Sequence, residues 1–410
     1  MKRRKRDRYG KMRSNPRPRH KVIKIGLVGC LVVVGRLGLA SQMKQVDLPS
    51  SDGTTLGAAF SPDSSRIALI TNAVGTETRQ RYILQVIELK SKREMGRTEV
   101  LGDEPADLST NAHLIGFSSD GRYLLLAARG SDVLLIIDSA RLEIVRRILL
   151  HPKTDARTRL GPGHPNFKGI VSISFSVKGN VFGVLTHDEV EGEEVFIGSF
   201  SSAQIVSSWN LGRGRMATQL GQISLSLSED GSDTLVSLLP DQDKLPKDFE
   251  NVRLFDSNTG KVLKSLHTDG LVGQIVLLPK DEILAARIDT PGLFSKKACL
   301  ERWNINTGTL ENQFCDESRN VSAALSATVS ADRVAGFGSE QHKSIEGHVY
   351  SAAGRVDVWD LKSGALLASS KDMHHLISSL QISANGEWVF AEQVLLQLNA
   401  RTVPSPLPGK

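Results

Sequence analysis

The sequence predicts an all-β fold, a β-propeller of seven four-stranded antiparallel blades, on three observations. An apolar run, a polar turn and a second apolar run recur seven times along the 410 residues, as in "FSPDSSRIALI" (Phe60–Ile70) and "FSSDGRYLLL" (Phe117–Leu126). Their first residues are separated by 57, 58, 52, 50, 52 and 53 positions. A second hairpin pattern follows each of the first six, as in "IIDSARLEIV" (Ile136–Val145) and "VWDLKSGALL" (Val358–Leu367). Upstream of the signatures apolar residues alternate with period two, as in Val171, Ile173 and Phe175. That is the strand period, and the body carries no long helical pattern.

Taken in order, each unit offers strands a to d. The Ser/Asp/Gly-rich signature supplies the a–b turn, and the later Asp, Asn, Ser and Gly supply the c–d turn, because these residues accept tight-turn geometry. The remaining signatures begin at Phe175, Leu227, Leu277, Val329 and Ile382. Further c–d hairpins read "VIELKSKRE" (Val86–Glu94), "FIGSFSSAQIV" (Phe196–Val206), "LFDSNTGKVL" (Leu254–Leu263) and "RWNINTGTL" (Arg302–Leu310). One such sheet cannot bury both faces alone, whereas a radial arrangement lets each cover its neighbours. The last unit keeps "VLLQLNARTV" (Val394–Val403) as strand c and lacks a strand d. Met43–Leu48, ahead of the first unit, is predicted to supply it and so remove an open edge. Six blades with a degenerate remainder is the alternative. The predicted division is residues 1–40 as leader, 41–403 as propeller and 404–410 as a Pro-rich tail.

The units resemble the WD-repeat family and, less closely, propellers with "SPDG" motifs such as TolB-like domains, over about Leu56 to Val403. The resemblance implies a propeller that acts as an interaction scaffold. Only the sixth unit keeps the Trp-Asp pair, at Trp359-Asp360. Gly163-His164 is the one plausible Gly-His dipeptide, and Asp132 matches the Asp ahead of strand c. The family's hydrogen-bonded scaffold is therefore expected to be absent from most blades. Trp209, Trp303, Trp359 and Trp388 fall in or beside strands and are expected to pack between blades.

The net charge of +6 belongs to the N-terminus. Residues 1–24 hold 12 of the 51 Lys and Arg with one acid, Asp7, so the rest carries 39 basic and 44 acidic residues, a balance of −5. A nucleic-acid binder shows its basic surface on the folded body, and this body is mildly acidic overall, so no nucleic-acid partner is expected. The basic block precedes an uncharged apolar stretch, Ile25–Gly35, and a small-residue exit, a pattern that reads as a signal peptide cleaved after Ala40. An uncleaved membrane anchor, a lipidated Cys30 in "LVGC" and a nuclear address in "KRRKR" are the alternatives. Export to a periplasmic, cell-surface or extracellular location is expected. It leaves Cys299 and Cys315 on opposite arms of a hairpin. Pairing about Asn306–Gly308 sets position 299 opposite about 313, so a disulfide needs a small register shift.

The excess length falls on the b–c and d–a connections, which share one face. They include Asn72–Arg81, Leu150–Gly169, Thr186–Glu194, Pro240–Asn251, Asp289–Ala298 and Gly338–Gly354. Loops on a rigid scaffold are the usual seat of binding. Candidate partner-binding residues there are Arg157, Arg159, His164, Lys168, His187, Glu189, Lys244 and His342. The partner is expected to be a protein, bound by a monomeric propeller. No catalytic, metal or cofactor site is predicted. His374-His375 is a poor chelate, because neighbours on a strand face opposite ways. "HDEVEGEE" lacks the ligand spacing of an EF-hand loop, and no zinc, P-loop, dinucleotide or Gly-x-Ser-x-Gly pattern occurs. A metal site assembled in the central channel from several blades is the enzyme alternative. "NVS" (Asn320–Ser322) is a glycosylation sequon.

Overall fold

Every recurring signature becomes the inner hairpin of one antiparallel sheet. The computed structural model describes residues 41–49, 53–73, 81–101, 113–151, 168–188, 192–212, 224–238, 250–268, 271–288, 298–315, 320–327, 332–343, 349–371, 373, 380–391 and 393–398. A short N-terminal pair, β1 (Ser41–Gln42) and β2 (Lys44–Val46), comes first. Blade one is β3 (Gly53–Phe60), β4 (Arg66–Ala73), β5 (Arg81–Glu88) and β6 (Arg93–Leu101). Blade two is β7 (His113–Phe117), β8 (Tyr123–Ala128), β9 (Val133–Asp138) and β10 (Ile144–Leu149). Blade three is β11 (Lys168–Phe175), β12 (Val181–Asp188), β13 (Gly192–Ser199) and β14 (Gln204–Gly212). Blade four is β15 (Leu225–Leu227), β16 (Asp233–Ser237), β17 (Val252–Asp256) and β18 (Val262–Leu266). Blade five is β19 (Leu271–Leu278), β20 (Glu282–Ile288), β21 (Ala298–Asn304) and β22 (Thr309–Cys315). Blade six is β23 (Asn320–Ala327), β24 (Arg333–Lys343), β25 (Val349–Asp360) and β26 (Leu366–Ser369). Blade seven is β27 (Leu380–Ile382), β28 (Trp388–Ala391) and β29 (Val394–Gln397), completed by β2.

The ring is closed. Innermost strands touch in succession, β3 to β7, β11, β15, β19, β23 and β27, and β27 returns to β3. Seven apolar clusters fill the seven interfaces, and the period of two divides each strand between them. In β4, Ile67 and Leu69 face the blade seven interface while Ala68 and Ile70 face blade two. The six-bladed alternative is overturned, because the seventh sheet is complete.

Closure uses the N-terminus in two ways. Lys44, Gln45 and Val46 pair antiparallel with Gln397, Leu396 and Leu395, close to the predicted Met43–Leu48. Ser41 and Gln42 pair parallel with Ala368 and Ser369, giving blade six a fifth strand. Met43 is buried between blades six and seven, and Val46 between seven and one. The segment thus straps two interfaces. Blade seven's b–c connection is a tight hairpin, with Ala391 opposite Val394.

The recurring turn residues make one local structure repeatedly. At the a–b turns of blades one, two, four and seven, Ser61, Ser118, Ser228 and Ser383 donate to Asp63, Asp120, Asp230 and Asn385. The same hydroxyls accept the N–H groups of Arg66, Tyr123, Asp233 and Trp388 at 2.9–3.0 Å. Blade three keeps the serine, and Ser176 accepts from Val181, while blade five substitutes a 3-10 turn at Pro279–Asp281. At the c–d turns Asp138, Asp256 and Asn304 accept N–H groups two and three residues on, and Asp360 accepts one three residues on. Such side-chain-to-backbone bonds hold the chain in a turn that competes with strand.

These bonds also hold the turn carboxyls ionised. Ser232 N–H, followed by the Ser232 and Ser228 hydroxyls, pulls Asp230 below the ordinary carboxylate range. Burial opposes ionisation of Asp63 and Asp120, but hydrogen bonds from Ser61 and Ser65, and from Ser118 and Arg122, outweigh it. Folded values below the unfolded ones give stability that is present above about pH 4 and lost as pH falls through the depressed values. Urea midpoints are therefore expected to drop below that pH. The drop should be shallower in a Asp63→Asn, Asp120→Asn, Asp230→Asn triple variant, and an unchanged slope would refute this account.

Between blades, serines of one innermost strand accept backbone N–H groups of the next. Leu225 and Leu227 of β15 donate their N–H groups to Ser172 and Ser174 of β11 at 3.3 and 3.0 Å. Ile275 and Leu277 of β19 donate to Ser224 and Ser226 at 2.8 and 2.9 Å, and Ile382 of β27 to Ser326 at 3.1 Å. Each bond satisfies an inward N–H of one blade with a side chain of the last, and so fixes the rotation between neighbouring sheets.

Candidate functional site

The two ends of the ring differ. One end carries the clasped a–b and c–d turns. The other carries the b–c and d–a connections, where residues 74–80, 102–112, 152–167, 213–223, 239–249 and 289–297 lie outside the described residues. Arg157, Arg159, His164, Glu189 and Lys244 belong to those segments or to 189–191, as does His374-His375 to 374–379. Lys168 and His342 are placed by their backbone. Lys168 opens β11 opposite Asp188, and His342 lies in β24 opposite Tyr350.

Two expected loops are largely strand. Thr186–Glu194 continues the β12–β13 ladder, with His187 opposite Glu193 and Asp188 opposite Gly192. Gly338–Gly354 continues β24–β25, whose register runs from Arg333 opposite Asp360 to Lys343 opposite Val349. Both were expected as loops because they lack apolar alternation. A ladder needs only its backbone hydrogen bonds to continue, so polar sequence does not end it.

His187 is corrected as a partner-binding residue. It is 2% exposed, and its Nδ1 lies 3.3 Å from Oε1 of Glu193, itself 2% exposed. On the opposite face of β13, Glu194 Oε2 lies 3.4 Å from Nε2 of His151, whose ring meets Phe196 edge-on at 5.3 Å. Adjacent glutamates on one strand face opposite ways, so each takes its own histidine. The result is a wall of two His–Glu contacts under the connections of blades two and three. The His187–Glu193 pair is closed from solvent, whereas Glu194 of the second pair is partly exposed. Among the described residues no group of three or more His, Cys, Asp or Glu is placed to hold a metal ion. Among them also, no helix is long and apolar enough to cross a membrane.

The tryptophans pack between blades as expected. Trp303 and Trp388 are buried at the blade four–five and seven–one interfaces. Trp209 and Trp359 pack partly buried at three–four and five–six. Asp132 is buried at the start of β9, where its carbonyl accepts the Leu150 N–H at 2.9 Å.

The cysteines are placed by register. Cys299 of β21 lies directly opposite Cys315 of β22, not opposite Gln313. The c–d turn and a bulge between Asn312 and Leu310 each shift the pairing by one. Equivalent irregularities follow the c–d turns of blades one, two, three, four and six. A bulge sets two residues against one. That accounts for exposed Met95, Val145, Val206 and Leu263, which are the extra residues of their outer strands.

No family model matches the chain, and no curated protein matches it. Among solved structures it is similar to U3-55K, with 13% identity and a TM-score of 0.58 over 88% of this chain and 100% of that one. It is similar to the β-propeller domain of Cps50 (Swd1) from Myceliophteria thermophila, with 12% identity and a TM-score of 0.57 over 87% and 100%. Hydrazine synthase of Kuenenia stuttgartiensis aligns at 12% identity and a TM-score of 0.51 over 71% of this chain and 79% of that one. At these identities the likeness is one of fold, and the fold it joins this chain to is the β-propeller.

Proposed function

We propose that the protein is an exported, non-catalytic interaction scaffold that docks another protein on the face bearing its b–c and d–a connections. The observation that carries this reading is the inequality of the two faces. One is closed by short turns whose polar groups bond each other. The opposite one receives nearly all the added length, and it joins a rigid ring on which placed side chains hold their positions. The WD-repeat resemblance of the repeated units agrees with it. In sequence, Arg157, Arg159, His164 and Lys168 make the connection between blades two and three basic, which suits an acidic partner surface. Charges at such a rim act mainly on the rate of encounter.

A photo-crosslinking amino acid at Arg157 or His342 is expected to trap one discrete partner in extracts of the natural source. The same group at Arg141 or Lys362, exposed on the opposite turns, is expected to trap none. Arg157→Glu with Arg159→Glu should weaken capture by about tenfold or more, with an unchanged melting temperature. Equal crosslinking from both faces would refute the reading. Export is read separately, from the first residue of the natural protein. Ser41 is expected, and Met1 would overturn cleavage after Ala40.

A further inference from the structure

We propose that Cys299 and Cys315 form a disulfide that closes the mouth of the outer hairpin of blade five. The two residues are direct partners in the β21–β22 ladder. Directly opposed residues of antiparallel strands hold their Cα atoms about 4.5 or 5.5 Å apart, depending on the pair type. Both distances fall within the roughly 4.4–6.8 Å that a disulfide spans. The opposition is built into the repeat, because the bulge that produces it recurs after the c–d turn in six blades.

Blade four gives a precedent within the chain. Asn251 stands before Asp256 as Cys299 stands before Asn304. The Asn251 amide donates to Thr268 Oγ1 at 2.6 Å, and the Thr268 N–H donates to Asn251 Oδ1 at 3.0 Å. Thr268 stands one residue beyond the position opposite Asn251, so blade four fastens its hairpin mouth by a diagonal side-chain contact. In blade five the two directly opposed positions hold cysteines. Cys299 lies one residue inside the start of β21 and Cys315 ends β22, so the bond would fix the points where two connections join the sheet. It does not depend on a partner docking.

Formation breaks two Sγ–H bonds and makes one Sγ–Sγ bond. Two protons and two electrons pass to an oxidising disulfide such as oxidised glutathione, which leaves as two thiols. The sequence offers a clean assay. Lys297, Arg302 and Arg319 let trypsin release Ala298–Arg302 and Trp303–Arg319 as separate peptides, one cysteine in each. Natural protein is alkylated before digestion without reductant. The expected result is the two peptides joined, separating on reduction, with Cys30 not joined to either. Cys299→Ser and Cys315→Ser should each lower the melting temperature as much as reduction does, and the double variant no further. Both peptides recovered alkylated and unlinked would overturn the proposal, whatever the first residue of the sample and whatever binds its loop face.

Discussion

Deleting residues 41–48 is expected to lower the unfolding free energy of the ring by about 3–6 kcal/mol, from the burial of two apolar side chains at roughly 1.5–3 kcal/mol each. Those side chains are Met43 and Val46, each 5% exposed, one in each of the interfaces flanking blade seven. The deletion also bares the edge of β29, whose unpaired backbone groups invite pairing with a second chain. A guanidinium titration with a size measurement reads both effects. The midpoint should fall and association should rise. Met43→Asp with Val46→Asp should reproduce the loss of stability at full chain length. Lys44→Ser with Gln45→Ser, at exposed positions of the same strap, should change it by less than about 0.5 kcal/mol. Equal stability of the deleted and intact chains would mean that the strap is not part of the closure.

The second large effect lies between blades two and three. Phe182 is fully buried and meets Phe200 edge-on at 5.1 Å. Its cross-strand partner is Gly198, and a Cβ there would stand 2.0 Å from Phe182 Cζ. The ring therefore lies over a glycine because no other residue leaves room for it. Phe182→Ala is expected to cost about 3–5 kcal/mol through the cavity it leaves. Gly198→Ala is expected to cost about 1–3 kcal/mol by overpacking. In a Phe182→Leu background the alanine should cost markedly less, because the atom it strikes is gone. Denaturant titrations of the four chains give the coupling, and strict additivity would contradict the contact.

Much of this architecture was legible because it rests on repetition. The seven signatures are visible at Phe60, Phe117, Phe175, Leu227, Leu277, Val329 and Ile382, since tight turns admit few residue types and buried strands must alternate. The closing strand was legible from a deficit: the last unit lacks a fourth strand, and a short strand-like stretch lies ahead of the first unit. What escaped was whatever depends on register or on neighbours. The parallel pairing of Ser41 and Gln42 with β26 involves two residues and leaves no pattern. The bulge that sets Cys299 opposite Cys315 inserts one residue without changing composition. Serines at 172, 174, 224, 226 and 326 look like ordinary polar strand residues until the adjacent blade supplies the N–H groups they accept.

The candidate site was less legible than the scaffold. Polar sequence marks a connection and a polar ladder alike, so His187 and Glu193 read as loop residues although they form part of a buried wall. Lys168 and His342 read as loop residues and stand instead in the β11 and β24 ladders. A partner, by contrast, is chosen by surfaces brought together from several blades, and no single stretch of sequence carries that information.

The central claim is a ring fastened head to tail, and one crosslink tests it most directly. Lys44 is opposite Gln397 in the β2–β29 ladder. In a chain whose three native cysteines are replaced by serine, Lys44→Cys with Gln397→Cys should oxidise within one molecule to near completion. Lys44→Cys with Gln393→Cys, out of register by several residues, should not. Failure of the first pair, or links formed only between molecules, would contradict a ring closed by its own N-terminus.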